Sequence, residues 1–138
     1  MKKAIRAALV LLAVLVAVSC TKTASNTFAL LGSWELVRTD ITTGGHTETV
    51  YPTDKVVYVE FHSGDEYVWT EVSLGGSTTM TGRWYVEDDV VTLTQTNGTH
   101  RVFHIEETGL TRLVLTETIT EDGVTTVYRD TYKSYVAK

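Results

Sequence analysis

His100 and His104 stand four residues apart, a spacing at which two imidazoles on one helix face can chelate a metal. On a strand the same spacing separates them by about 13 Å, and no ion can be shared. His46 and His62 fall at the edges of turn-forming stretches. Glu87-Asp88-Asp89 and Asp65-Glu66 offer oxygen ligands of the calcium type, but each coincides with a hairpin-turn signal and neither has EF-hand spacing. No serine occupies a G-x-S-x-G elbow. No two carboxylates are singled out as a glycosidase pair. The single cysteine, Cys20, excludes an internal disulfide framework and a multi-cysteine zinc site. The residues thus indicate neither an enzyme nor a metal or cofactor site.

The elements that must position any remaining site belong to a single domain, since 138 residues suffice for one and not two. A hydrophobic content of 43% suits a globular core and excludes wholesale disorder. Twelve Lys+Arg against seventeen Asp+Glu, with no basic run after residue 6, argues against a nucleic-acid binder.

Lys2, Lys3 and Arg6 precede an unbroken apolar run from Ala7 to Val18. As a helix that run rises about 18 Å, short of a hydrocarbon core of about 30 Å, so residues 1–19 read as a signal peptide and not a membrane span. Ala17-Val18-Ser19-Cys20 resembles the lipobox of bacterial lipoproteins. The resemblance implies cleavage before Cys20, a thioether-linked diacylglycerol on its sulfur and acylation of the new amine, with the protein tethered to a membrane of the cell envelope. Two or more chains anchor stably where one does not. The leader holds three of the basic residues and no acid, so the remaining chain carries nine against seventeen, a net charge of −8. Such a body is repelled by anionic head groups. Thr21 to Thr27 is small, polar and without periodicity, and residues 20–29 read as a lipidated cysteine and short tether before a folded domain over 30–138.

From Gly32 onward threonine, valine and tyrosine dominate and turn signals recur every eight to twelve residues. Strands are predicted at 33–40, 46–51, 55–62, 66–73, 78–87, 90–96, 100–107, 111–119 and 124–134. Pro52 cannot donate to a ladder, which makes 46–51 an edge or a lead into the next strand and leaves eight substantial strands. A two-residue turn at Asp88-Asp89 sets Val86 opposite Val91 and Trp84 opposite Leu93. A three-residue turn at Ser63-Gly64-Asp65 sets Phe61 opposite Tyr67 and Val59 opposite Trp69. The Asn97-Gly98 turn is ambiguous: a two-residue loop puts Val102 and His104 inward, whereas a loop that includes Thr99 puts Phe103 and Ile105 there. Burial favours the second. One face of every strand is apolar, and with no helix to cover it the sheet must fold on itself.

Leu31-Gly32-Ser33-Trp34-Glu35-Leu36 resembles the G-x-W opening of the first strand of lipocalins. Phe61-His62-Ser63-Gly64-Asp65-Glu66-Tyr67, Gly82 to Leu93, Leu113-Val114-Leu115-Thr116 and Tyr128-Arg129 extend the resemblance to the short bacterial lipocalin-like lipoproteins of Bacteroidetes-type envelopes. It implies an all-β fold, an eight-stranded up-and-down antiparallel barrel plugged at one end by Trp34. It also implies a cation–π contact from Arg129 over that tryptophan. An eight-stranded barrel is either filled or holds one small ligand. The first reading is a lipid-anchored carrier whose hydrophobic or amphipathic ligand lies against Val59, Phe61, Tyr67, Trp69, Met80 and Trp84. The alternative is a filled barrel that acts as an interaction, assembly or inhibitor module toward an unidentified envelope protein. A void of several hundred Å³ favours the carrier, and a solid interior favours the module.

Overall fold

Residues 21–136 are described in a computed structural model of the chain, so the predicted leader and Cys20 lie outside the described residues. Nine strands follow one another among the described residues: β1 (Gly32–Thr43), β2 (His46–Val50), β3 (Lys55–Phe61), β4 (Glu66–Ser73), β5 (Gly76–Glu87), β6 (Val90–Gln95), β7 (His100–Thr108), β8 (Arg112–Glu121) and β9 (Val124–Ser134). Consecutive strands pair antiparallel except that β3 pairs with β1 and not β2, and β1 pairs with β9 to close an eight-stranded barrel. Closure removes the exposed edges that an open sheet of this length would present. β2 pairs only with the far half of β1, from Thr39 to Thr43, as an appended hairpin. The near half of β1, Gly32 to Glu35, pairs with β3 instead. The wall therefore parts between β1 and the start of β3, where Pro52 interrupts donation.

Turn length fixes most of the registers. Val86 is opposite Val91, Trp84 opposite Leu93, Phe61 opposite Tyr67 and Val59 opposite Trp69, as the turn lengths require. At the ambiguous turn the loop is Thr96-Asn97-Gly98, closed by the Gln95 N–H donating to the Thr99 carbonyl at 2.8 Å. Phe103 and Ile105 are buried, and the two-residue shift sets Phe103 opposite Val91 and Arg101 opposite Leu93. A bulge at Val37, between Leu36 and Arg38, reverses the parity of β1. Trp34 and Leu36 face inward before it, and Thr39 and Ile41 after it.

Residues 21–30 are helical, where the sequence reads as a short polar tether without periodicity. Tertiary contacts supply what its composition lacks. Thr23 and Asn26, three apart on one helix face, hold the β5–β6 turn: Thr23 Oγ1 accepts from the Asp88 N–H at 2.8 Å, and Asn26 Nδ2 donates to the Asp88 carbonyl at 2.7 Å. Lys22 pairs with Asp89 at 3.6 Å. Leu30 is fully buried, and its carbonyl accepts from Trp34 Nε1 at 2.9 Å.

Candidate ligand-binding cavity

The barrel interior divides into a solid half and a hollow half. In the half near Trp34, Val59, Phe61, Tyr67 and Trp84 are each 2% exposed or less. The Phe61 and Trp84 rings meet edge-on at 5.0 Å, and Trp84 Nε1 donates to the His62 carbonyl at 3.1 Å. Gly82 belongs to this packing: a Cβ there would collide with the Thr94 carbonyl oxygen and stand 2.7 Å from the Tyr67 ring. These four side chains are therefore core, and the expectation that they line a ligand is corrected. They interdigitate too closely to leave room for one.

Beyond them a cavity of about 440 Å³ opens, walled by Leu36, Ile41, Val57, Trp69, Ile119 and Tyr128 and bordered by Val50 and Pro52, near where the wall parts. Trp69 is the one member of the six expected lining residues that the structure brings to this cavity. Met80, opposite Trp69, packs against the core instead and accepts a weak hydrogen bond from Gln95.

Five ionisable side chains also reach the cavity: Lys55, Glu71, Arg101, Glu117 and Asp130. Arg101 binds Glu117 through two hydrogen bonds, Nη2 to Oε1 at 2.8 Å and Nε to Oε2 at 3.1 Å. Its guanidinium also stands over the rings of Trp69 and Phe103 at 5.2 and 4.9 Å. Burial alone lowers the Arg101 pKa, but the bonded Glu117 carboxylate outweighs it and the net direction is up. Lys55 pairs with Glu71 at 3.3 Å nearer the surface. Asp130 is 8% exposed and accepts from the Thr39 hydroxyl at 2.6 Å. Burial raises its pKa, against the opposing effects of the Thr39 bond and the Arg101 charge. The neighbouring Tyr132 hydroxyl is wholly buried without a hydrogen bond of ordinary geometry, and burial, then the Asp130 charge, raises its pKa well above the usual value.

The sequence reading singled out none of these charged residues. Strand parity contained the signal that could have moved them inward: Arg101 has the parity of Phe103, Glu117 of Leu115, and Asp130 of Tyr132. Arg129 has the opposite parity and lies outside, where its Nε donates to Glu106 at 2.9 Å and its Nη1 lies 3.6 Å from Asp40. Trp34 is opposite Ser134, five residues on and so about 16 Å away along β9, which corrects the expected Arg129–Trp34 stack. The histidines are dispersed: His100 meets Thr94 at 2.9 Å, His104 Asp89 at 3.7 Å and His62 Glu60 at 3.5 Å, while His46 ends the β1–β2 turn.

Comparison with known folds finds lobster apocrustacyanin A1 at a TM-score of 0.59 and 15% identity, over 85% of this chain and 67% of that one. Apocrustacyanin C1 follows at 0.55 and 16%, over 79% of this chain, which spans 62% of that protein's length. Apocrustacyanin C2 gives 0.55 and 15% over the same shares. Curated protein sequences give no match. The lipocalin-like domain model matches residues 30–115, more than half of the sequence and the whole run from the G-x-W strand into β8. By that match and the closed eight-stranded barrel, the chain belongs to the lipocalin-like domain family.

Proposed function

We propose that the protein is a lipid-anchored envelope carrier that holds a small hydrophobic or amphipathic molecule in the hollow half of its barrel. The observation that carries this reading is the cavity of about 440 Å³. It falls within the range of small-molecule sites, and its wall is apolar apart from a few convergent polar groups. A filled barrel would have no such space. The apolar part of that wall suits micromolar affinity for an apolar ligand body, about −8 kcal/mol. The anchor belongs to the same proposal and rests on the Ala17-Val18-Ser19-Cys20 sequence.

Trp69 lines the cavity, while Trp34 and Trp84, 4% and 2% exposed, lie outside it in the solid half. A hydrophobic fluorophore should therefore quench tryptophan emission on binding, and Trp69→Ala should weaken its binding. Absence of binding by any fluorophore or fatty acid at high micromolar concentration would overturn the carrier reading and leave the interaction module. For the anchor, Cys20→Ser should yield an uncleaved precursor that takes up no labelled fatty acid. Normal labelling of that variant would remove the lipoprotein claim.

A further inference from the structure

We propose that the cavity selects an amphipathic ligand bearing a protonated amine, seated against Asp130, over a carboxylate of equal chain length. The inference rests on the carrier reading and names the chemistry of the ligand's polar end.

The argument is a charge inventory of the cavity wall. Two cations and three carboxylates face it, a balance of −1 with every group ionised. Both cations are already engaged, Arg101 by the two-point Glu117 contact and two aromatic faces, Lys55 by Glu71. Asp130 makes no ion pair among the described residues; the Thr39 hydroxyl donates to its Oδ1, and the neighbouring Tyr132 hydroxyl also acts on the carboxylate. Asp130 is therefore the one charged group of the wall outside an ion pair, the Arg101 charge acting on it only through space while bonded to Glu117. A carboxylate ligand would add a fourth anion and would have to pull Arg101 from Glu117 to find a cation. An ammonium group adds the missing charge and donates into Asp130 without disturbing either pair, a charge-assisted bond of the stronger kind. Its alkyl body then lies along Trp69, Tyr128 and Ile119. The low dielectric of such a wall magnifies the difference between the two head groups. Burial holds the Asp130 proton more tightly than usual, and a bound ammonium acts in the opposite direction.

The test is calorimetric titration of the purified full chain with octylamine, octanol and octanoate at pH 7. Octylamine should bind at least tenfold tighter than octanol, and octanoate more weakly than octanol. Asp130→Asn should bring octylamine down to the level of octanol. Glu117→Gln frees the Arg101 guanidinium and should raise octanoate affinity severalfold, which keeps a reading should the Asp130 variant fail to fold. Octanoate equal to or tighter than octylamine in the unaltered protein overturns the inference, as does an amine preference that survives Asp130→Asn. Octanol binding with no head-group order sinks the inference alone. Failure of all three ligands to bind sinks the carrier reading with it.

Discussion

Gly82 and Trp34 show how single residues hold the solid half together. Gly82 is required by space, because any Cβ meets the Thr94 carbonyl and the Tyr67 ring. Gly82→Ala should therefore cost about 1–3 kcal/mol through forced displacement, read as a lowered urea midpoint. Trp34→Ala should cost about 3–5 kcal/mol, since it empties a 4%-exposed site and leaves the Leu30 carbonyl without its donor. An unchanged melting curve would show that this end of the barrel is not closed as described. Two carboxylates should shape the pH dependence of stability in opposite ways. Asp130 has a raised pKa, so the folded state holds its proton more tightly. Its contribution is fully present below the unfolded value, about 3.9, and is lost as pH rises through the folded value. Glu106 has a lowered pKa, mainly through its bond from Arg129; its contribution is present above the unfolded value and lost as pH falls through the folded one. Asp130→Asn should remove the decline on the alkaline side of the carboxylate range, and Glu106→Gln the decline on the acid side. Denaturant titrations between pH 2.5 and 7 separate the two.

Among the elements, the helical residues 21–30 act as a lid on the solid end. Leu30→Ala should cost about 2–5 kcal/mol, in the manner of a fully buried leucine, and Thr23→Ala or Asn26→Ala about 0.5–1.5 kcal/mol through the turn contacts. Thermal melts of the three variants give this order if the helix is docked, and no change if it is a free tether. None of this was legible in Thr21 to Thr27, because the helix is specified by partners some sixty residues away and not by its own periodicity. The strands were legible for the contrary reason. Alternation and turn chemistry are local, and Val86–Val91 or Phe61–Tyr67 follow from loop length alone. The failures lie where local signals end. The bulge at Val37 flips the parity of β1, and no residue type announces it. Arg101, Glu117 and Asp130 went unremarked because charged residues do not announce a barrel interior, although their parity with Phe103, Leu115 and Tyr132 sets them inside. Polar residues inside a barrel break the rule of alternation where a function or a paired charge justifies it.

On the scale of the whole molecule, the barrel separates its packed core from its cavity. Closing the sheet between β1 and β9, Trp34 opposite Ser134 and Thr43 opposite Thr126, makes one barrel with two unlike interiors. The half next to the helix carries the buried aromatic volume, and the half next to β2 carries the cavity and its charged groups. Substitutions should sort by half. Phe61→Ala, in the solid half, should cost about 3–5 kcal/mol yet leave fluorophore affinity within a factor of two wherever the protein remains folded. Ile119→Trp, on the cavity wall and 38% exposed, adds bulk where there is open space. It should leave the urea midpoint nearly unchanged while lowering fluorophore affinity at least tenfold. Paired urea titrations and fluorophore titrations on the two variants test the division directly. A Phe61→Ala protein that loses binding in proportion to stability would show that the halves act as one. So would an Ile119→Trp protein that keeps full affinity, since the ligand would then lie somewhere other than the space this residue borders.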